Sequence, residues 1–219
     1  MIWNWDYTLE ILPVLARAAI VTIEATVLSF VIALILGLVL AVLRMSGPVV
    51  GWLASAFVEL VRSTPLLIQI FFLFFVLPKA GIVLDAFTAG VIALSIHYGC
   101  YCSEVYRAGL EAVPRGQWEA CTALNFSSWH SFKNIILPQA IPPIVPALGN
   151  YLVALFKETP LLSAIAVLEL VQMAKNLGSE NFRYTEPMTI VGLTFLVLSL
   201  VSAAGIRWLE QRLNRRSVR

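Results

Sequence analysis

Five long apolar runs, at residues 18–43, 53–77, 86–106, 141–156 and 187–208, leave this chain few ways to fold. A helix needs roughly 20 mostly apolar residues to cross about 30 Å of hydrocarbon. The fourth run is the weakest, because Pro142, Pro143 and Pro146 interrupt its start and Lys157-Glu158 follows. Of the 219 residues, 59% are hydrophobic and 13% are charged, more apolar surface than a soluble domain of this size needs. The bilayer is the expected solvent, and the expected fold is an all-α integral membrane protein with five transmembrane helices. No Gly/Ser/Pro linker divides the chain, so residues 1–219 are read as one transmembrane domain.

The placement of charge sets an orientation. Arg207, Arg212, Arg215, Arg216 and Arg219 crowd the C-terminal tail against Glu210 alone. Arg44 follows the first run, and Arg107, Arg115 and Lys133 surround the polar stretch between the third and fourth. The positive-inside rule puts all three regions in the cytoplasm. With five spans the N-terminus then lies outside, where Trp3 and Trp5 suit an interfacial belt. A basic tail beside an apolar span reads as an orientation signal, so no nucleic-acid partner is expected. Cys100, Cys102 and Cys121 form no zinc or disulfide pattern and read as small packing residues. No G-x-x-x-x-G-K-[ST] run is present to cradle a nucleotide phosphate, so the chain is not expected to be an enzyme.

Polar residues inside apolar runs should face protein or a water-filled cavity. Ala25, Ser29, Ala33, Gly37 and Ala41 recur every fourth position of the first run, a small-residue face that lets helices approach closely. Glu59 and Arg62, three apart, are expected to pair, with Gln69 on the same side and Pro65 bending or restarting the helix. His97, Tyr101 and Glu104 make a polar stripe on the third run, with Tyr98 beside it and Arg107 in reach of Glu104. Counting from about residue 144 at the inner surface, Lys157 and Glu158 lie roughly 20 Å up the fourth run. Pro160 should break that helix, and residues 161–175 read as another short helix near the outer surface. A Lys–Glu pair with Thr159, Ser163 and an opened backbone suits a solute carrying both charges. A salt bridge fixing the break explains the same residues equally well.

Between the third and fourth runs, Pro114 ends a helix and Gly116 turns the chain. Residues 117–124 then read as a short helix, which Asn125 can stop in the left-handed conformation. Ser127 and Ser128 can cap the next segment. Glu119-Ala120-Cys121 is followed at fixed spacing by Asn125, Ile135 and Leu137-Pro138. This spacing resembles the EAA loop of ABC-importer permeases, with Cys121 where Ala is usual and Asn125 where Gly is usual. Residues 61–69, Val-Arg-Ser-Thr-Pro-Leu-Leu-Ile-Gln, and residues 157–161, Lys-Glu-Thr-Pro-Leu, are similar to signatures of the polar amino acid permease branch. The resemblance runs over residues 18–210 and is nearest the ectoine/hydroxyectoine uptake branch.

The resemblance implies a type I importer (MetI-like) transmembrane fold whose cytoplasmic loop, residues 115–138, carries a coupling helix. Arg115, Gly116, Gln117, Trp118, Glu119, Ala120, Cys121, Asn125, Ile135, Leu137 and Pro138 would then couple the chain to an ATPase. Gln69, His97, Tyr98, Tyr101, Lys157, Glu158, Thr159 and Ser163 would line the substrate path. Glu59, Arg62, Pro65, Glu104, Arg107 and Pro160 would hold the framework. The implied partners are an ABC ATPase dimer, a second permease (identical or related), an extracytoplasmic solute-binding protein and lipid, in a bacterial inner membrane. The chain itself would carry no cofactor, with ATP and magnesium on the ATPase, and would move a polar amino acid or a zwitterionic compatible solute. An ion-coupled secondary transporter is the competing reading, and a non-transporting membrane scaffold a third.

Overall fold

The structure is a computed structural model that describes residues 3–217, with side chains through residue 212. Arg219 of the basic tail, and the side chains of Arg215 and Arg216, lie outside the described residues. The described residues form helices and no strands: α1 (Trp5–Arg44), α2 (Pro48–Arg62), α3 (Leu66–Phe71), α4 (Ala86–Glu111), α5 (Arg115–Ala123), α6 (Ser128–Ser131), α7 (Leu137–Glu158), α8 (Leu170–Glu180) and α9 (Thr185–Ser217). A wide π turn and a tight 3-10 turn extend α3 to Ala80. Another π turn, Phe132–Ile136, joins α6 to α7.

Three described helices, rather than five, are long and apolar enough to span by themselves: Trp5–Arg44, Ser128–Ile165 and Thr185–Arg212. The second expected span is broken. Helix α2 stops at Arg62, Pro65 takes an extended conformation, and the chain restarts 103° away. Counted as one, the bent pair makes a fourth candidate. The break frees carbonyls, and Gln69 closes them: its side-chain amide donates to the Val61 and Thr64 carbonyls and to the Thr64 hydroxyl at 2.7–3.1 Å. The third expected span is helix α4, which is long but carries His97, Tyr98, Tyr101 and Glu104. These polar residues lower its hydropathy below that of the three autonomous spans.

Helix α4 owes its place to α1. The two share the most extensive helix interface of the molecule. Ala25, Ser29, Ala33, Gly37 and Ala41 are all buried, so the small-residue face serves packing within the chain. Ser29 and Ser95 bond across the seam, each to a backbone carbonyl of the other helix, at 3.3–3.4 Å. A Cβ built on Gly37 would sit 2.6 Å from Cys102 Cβ and 2.8 Å from the Gly99 carbonyl. Cys100, Cys102 and Cys121 are buried and free, as packing residues.

The fourth run differs from its expected form. Its helix starts before residue 141, continuous from Ser128, and Pro142, Pro143 and Pro146 lie inside α7 without ending it. Ala140 and Ile144, buried with Val113 and Ile136, hold that segment against the end of α4. After Glu158 the chain tightens into a 3-10 turn, Thr159–Ile165, and Ala166 takes a left-handed conformation. The expected helix over residues 161–175 is therefore split, and α8 begins at Leu170. Helix α9 leaves most of itself uncovered, with only 6% of its apolar stretch buried, as suits lipid or another subunit.

The seam makes a prediction. Gly37→Ala should cost about 1–3 kcal/mol, the usual penalty of overpacking, and lower the apparent unfolding temperature of the purified protein. Gly192→Ala, where a Cβ meets nothing within 4 Å, should leave it in place.

Candidate functional site

Two groups of side chains gather the residues singled out above. The first lies where α2, α3, α4 and α7 meet. Helical spacing puts His97, Tyr98 and Tyr101 on one side of α4, with ring centroids 5.1–6.2 Å apart. Tyr151 of α7 completes the aromatic wall, 5.5 Å from Tyr101 and 6.2 Å from Tyr98. The Tyr98 hydroxyl donates to Glu158 Oε2 at 2.8 Å. His97 Nδ1 lies 3.2 Å from Gln69 Oε1, the end of that amide left over from closing the helix break. At the far side the Arg62 guanidinium sits 5.2 Å over the Tyr101 ring. A cation and a carboxylate thus stand at opposite ends of a row of aromatic rings.

The expected Lys157–Glu158 salt bridge does not form. Successive helix residues do not face each other, and while Glu158 turns to Tyr98, Lys157 is exposed. Thr159 is fully buried and donates to the Phe156 carbonyl, while Ser163 accepts from Lys175 Nζ at 3.0 Å. Both hold the turn that follows Glu158, where Pro160 lies. Glu59 does not pair with Arg62 either. Glu59 is exposed, and Arg62 reaches across to Glu104 at 3.0 Å.

Glu104 is a hub. Arg44, Arg62 and Arg107, from three helices, approach its two oxygens at 2.9–3.0 Å. Arg107 bonds Glu111 as well, at 2.7 Å. Sequence alone points to the Arg107 pairing, through its three-residue spacing, but gives no sign of Arg44. Tyr151 carries a signal that was legible: it lies two helical turns before Glu158 and so shares its face.

The second group is the hairpin of residues 115–138. Helix α5 is exposed along Gly116, Gln117, Trp118, Glu119 and Ala120, and anchored by buried Cys121. Asn125 stops it at φ 51, as expected. Its N–H bonds the Thr122 carbonyl, while that of Phe126 reaches back to Cys121, both at 3.0 Å. This pairing is a Schellman closure. Ser127 caps the next helix through the His130 N–H. Gln139 beside Pro138 donates to the Gln117 side chain and to the Ile135 carbonyl, tying α5 to α7. Arg115 opens α5, and Leu137 begins α7. Trp118, Leu124, Phe126 and Trp129 nevertheless remain 41–70% exposed. Exposed apolar patches of this kind mark protein–protein or membrane interaction sites.

The chain as a whole is similar to known proteins. The family described as binding-protein-dependent transport system inner membrane component matches residues 33–215. A probable amino-acid ABC transporter permease of Sinorhizobium fredii is 44% identical, over 99% of this chain and 97% of that protein. The L-cystine transport system permease of Bacillus subtilis is 37% identical over 96% and 92% of the two chains. A crystal structure of an amino acid ABC transporter with histidines superposes with a TM-score of 0.92 at 33% identity, over 97% of this chain and 100% of that one.

The hub yields a prediction. Glu104→Gln leaves three guanidinium groups without their shared carboxylate and should destabilise the protein by about 1.5–3 kcal/mol, the scale of hydrogen bonds to a charged group. A thermal unfolding scan should show a larger drop for it than for Arg62→Gln, which removes one partner of three.

Proposed function

The chain belongs to the family of binding-protein-dependent transport system inner membrane components, and from that premise we propose where solute passes and where force enters. It is the permease subunit of an amino-acid ABC importer with the MetI-like fold. Its relatives are transport subunits rather than enzymes, and the ion-coupled alternative is not favoured.

The proposed path runs along the aromatic wall. The observation that carries it is the row of Tyr101, Tyr151, His97 and Tyr98 between the Arg62 guanidinium and the Glu158 carboxylate. A solute with one carboxylate and one ammonium group is complementary to both ends, and the rings contribute attraction to its cationic part. Gln69 and His97 hold the wall in register. Lys157, exposed one position from Glu158, would lie on the surface that a second permease closes. The substrate class is a polar amino acid. Ectoine and hydroxyectoine are narrower candidates that rest on sequence resemblance alone, since the relatives named above are amino-acid permeases.

Force enters through residues 115–138. In the proposed cycle two permeases, identical or related, enclose the path, and an ATPase dimer receives the exposed apolar tip of each hairpin. Nucleotide and magnesium bind the ATPases. Their closure carries the hairpins inward, and the rigid link through Gln117 and Gln139 passes the motion to α7 and α4. The spans turn from inward-open to outward-open, and a solute-binding protein delivers its load at the outer face. Hydrolysis resets the system. The expected setting is a bacterial inner membrane, with the N-terminus outside and the C-terminus in the cytoplasm.

Uptake of a panel of radiolabelled solutes by proteoliposomes holding the full complex tests this reading. Tyr98→Phe should lower uptake of the accepted solute about tenfold, matching the roughly 1.5 kcal/mol of a hydrogen bond to a charged group, while the ATPase still copurifies. Unchanged uptake would remove the wall from the path. Glu119→Lys should instead reduce ATPase copurification about tenfold with membrane insertion intact. Equal recovery of the ATPase would take the hairpin out of the coupling scheme.

A further inference from the structure

The Glu104 hub has a second face. On the side away from the aromatic wall a cavity of about 680 Å³ opens between the ends of α1 and α4 and the start of α5, and Arg44, Ser55, Arg107, Glu111, Arg115 and Trp118 contribute to its wall. Four guanidinium groups, counting Arg62 behind Glu104, meet only two carboxylates here, Glu104 and Glu111. Two positive charges are therefore left over. Glu119, one turn beyond Arg115, is exposed outside the wall, and no ion pair joins the two among the described residues.

Hydrogen bonding is short in the same sense. Arg44 Nη1 stands 2.9 Å from Glu104 Oε1, an oxygen it shares with Arg62 Nη1 at 3.0 Å. Arg62 Nε is buried without an acceptor. On the cavity side Ser55 Oγ accepts from Arg44 Nε at 3.2 Å, and Glu111 accepts from Arg107 Nη1 at 2.7 Å. A shared carboxylate oxygen satisfies neither guanidinium in full, and an anion in the cavity would relieve the charge excess.

We propose that this cavity binds a phosphate-bearing anion, supplied by the headgroup of an anionic phospholipid. Guanidinium groups suit phosphate because their paired N–H donors match its oxygens. Helix α5 adds its free N-terminal N–H groups, since Pro114 at its cap has no side-chain acceptor. The position favours lipid as the source. The cavity lies where the first long span ends, its wall includes Met45, 64% exposed, and the following helix exposes Val49 and Trp52 at 68–69%, an apolar surface that acyl chains would cover. Basic pockets at such depth bind lipid headgroups. The inference does not rest on the solute path, and its Arg115 and Trp118 lie at the edge of the hairpin proposed to meet the ATPase.

The test uses the full transport complex in nanodiscs of phosphatidylcholine with or without phosphatidylglycerol, then delipidation and native mass spectrometry. Retention of one phosphatidylglycerol per chain, and of no phosphatidylcholine, is expected. Arg115→Gln, which removes an unpaired cation and leaves the hub whole, should weaken retention about fivefold, the equivalent of the roughly 1 kcal/mol each basic residue contributes. A second arm adds sn-glycerol 3-phosphate to phosphatidylcholine nanodiscs. Saturable binding there, lost in Arg115→Gln, would keep the phosphate site but move its source to a soluble ligand. Equal retention of both lipids, or no loss in Arg115→Gln in either arm, overturns the proposal. Because the readout is binding, failure here leaves the transport reading standing.

Discussion

At bilayer depth a polar group without a partner is expensive, and that penalty explains where this chain bends, where it pairs and what it leaves exposed. The break after Arg62 persists because Gln69 satisfies the carbonyls it frees. Glu104 sits on α4, a helix too polar to span unaided, because three guanidinium groups surround it. Glu158 finds the Tyr98 hydroxyl. In each case one side chain of a distant element answers a group the local helix cannot.

These partnerships join the two groups of the candidate site into one mechanical body. Arg62 leans on Tyr101 with one face and on Glu104 with its tip. Glu104 also holds Arg107, whose helix ends against the core of Val113, Ile136, Ala140 and Ile144. That core carries the hairpin. Packed side chains and ion pairs thus run without a gap from residues 115–138 to the aromatic wall.

Much of this was legible in the chain alone where the controlling physics is local. The four-residue repeat of small side chains marked the face of α1 that meets α4, because a helix repeats its faces at that spacing. Asn125 announced a left-handed stop, and Ser127 a cap, because both act on backbone groups within a few residues. The pairing of Arg107 with Glu104 followed from a separation of three. The Lys157–Glu158 pair did not form because adjacent helix residues do not face each other, and the Glu59–Arg62 pair did not because Glu104, 42 positions from Arg62, takes its guanidinium.

Sequence by itself determined that this is a helical membrane protein with a polar hairpin of fixed spacing, since apolar length and backbone chemistry are properties of short segments. Tertiary structure decided that the second run folds back through 103° and that Tyr151 joins the wall. It also brought Arg44 and Arg62 to the same carboxylate, leaving an excess of positive charge beside it. Those outcomes depend on contacts between residues tens of positions apart. Electrostatic attraction and hydrogen bonding act over a few ångströms of space, whatever the distance along the chain.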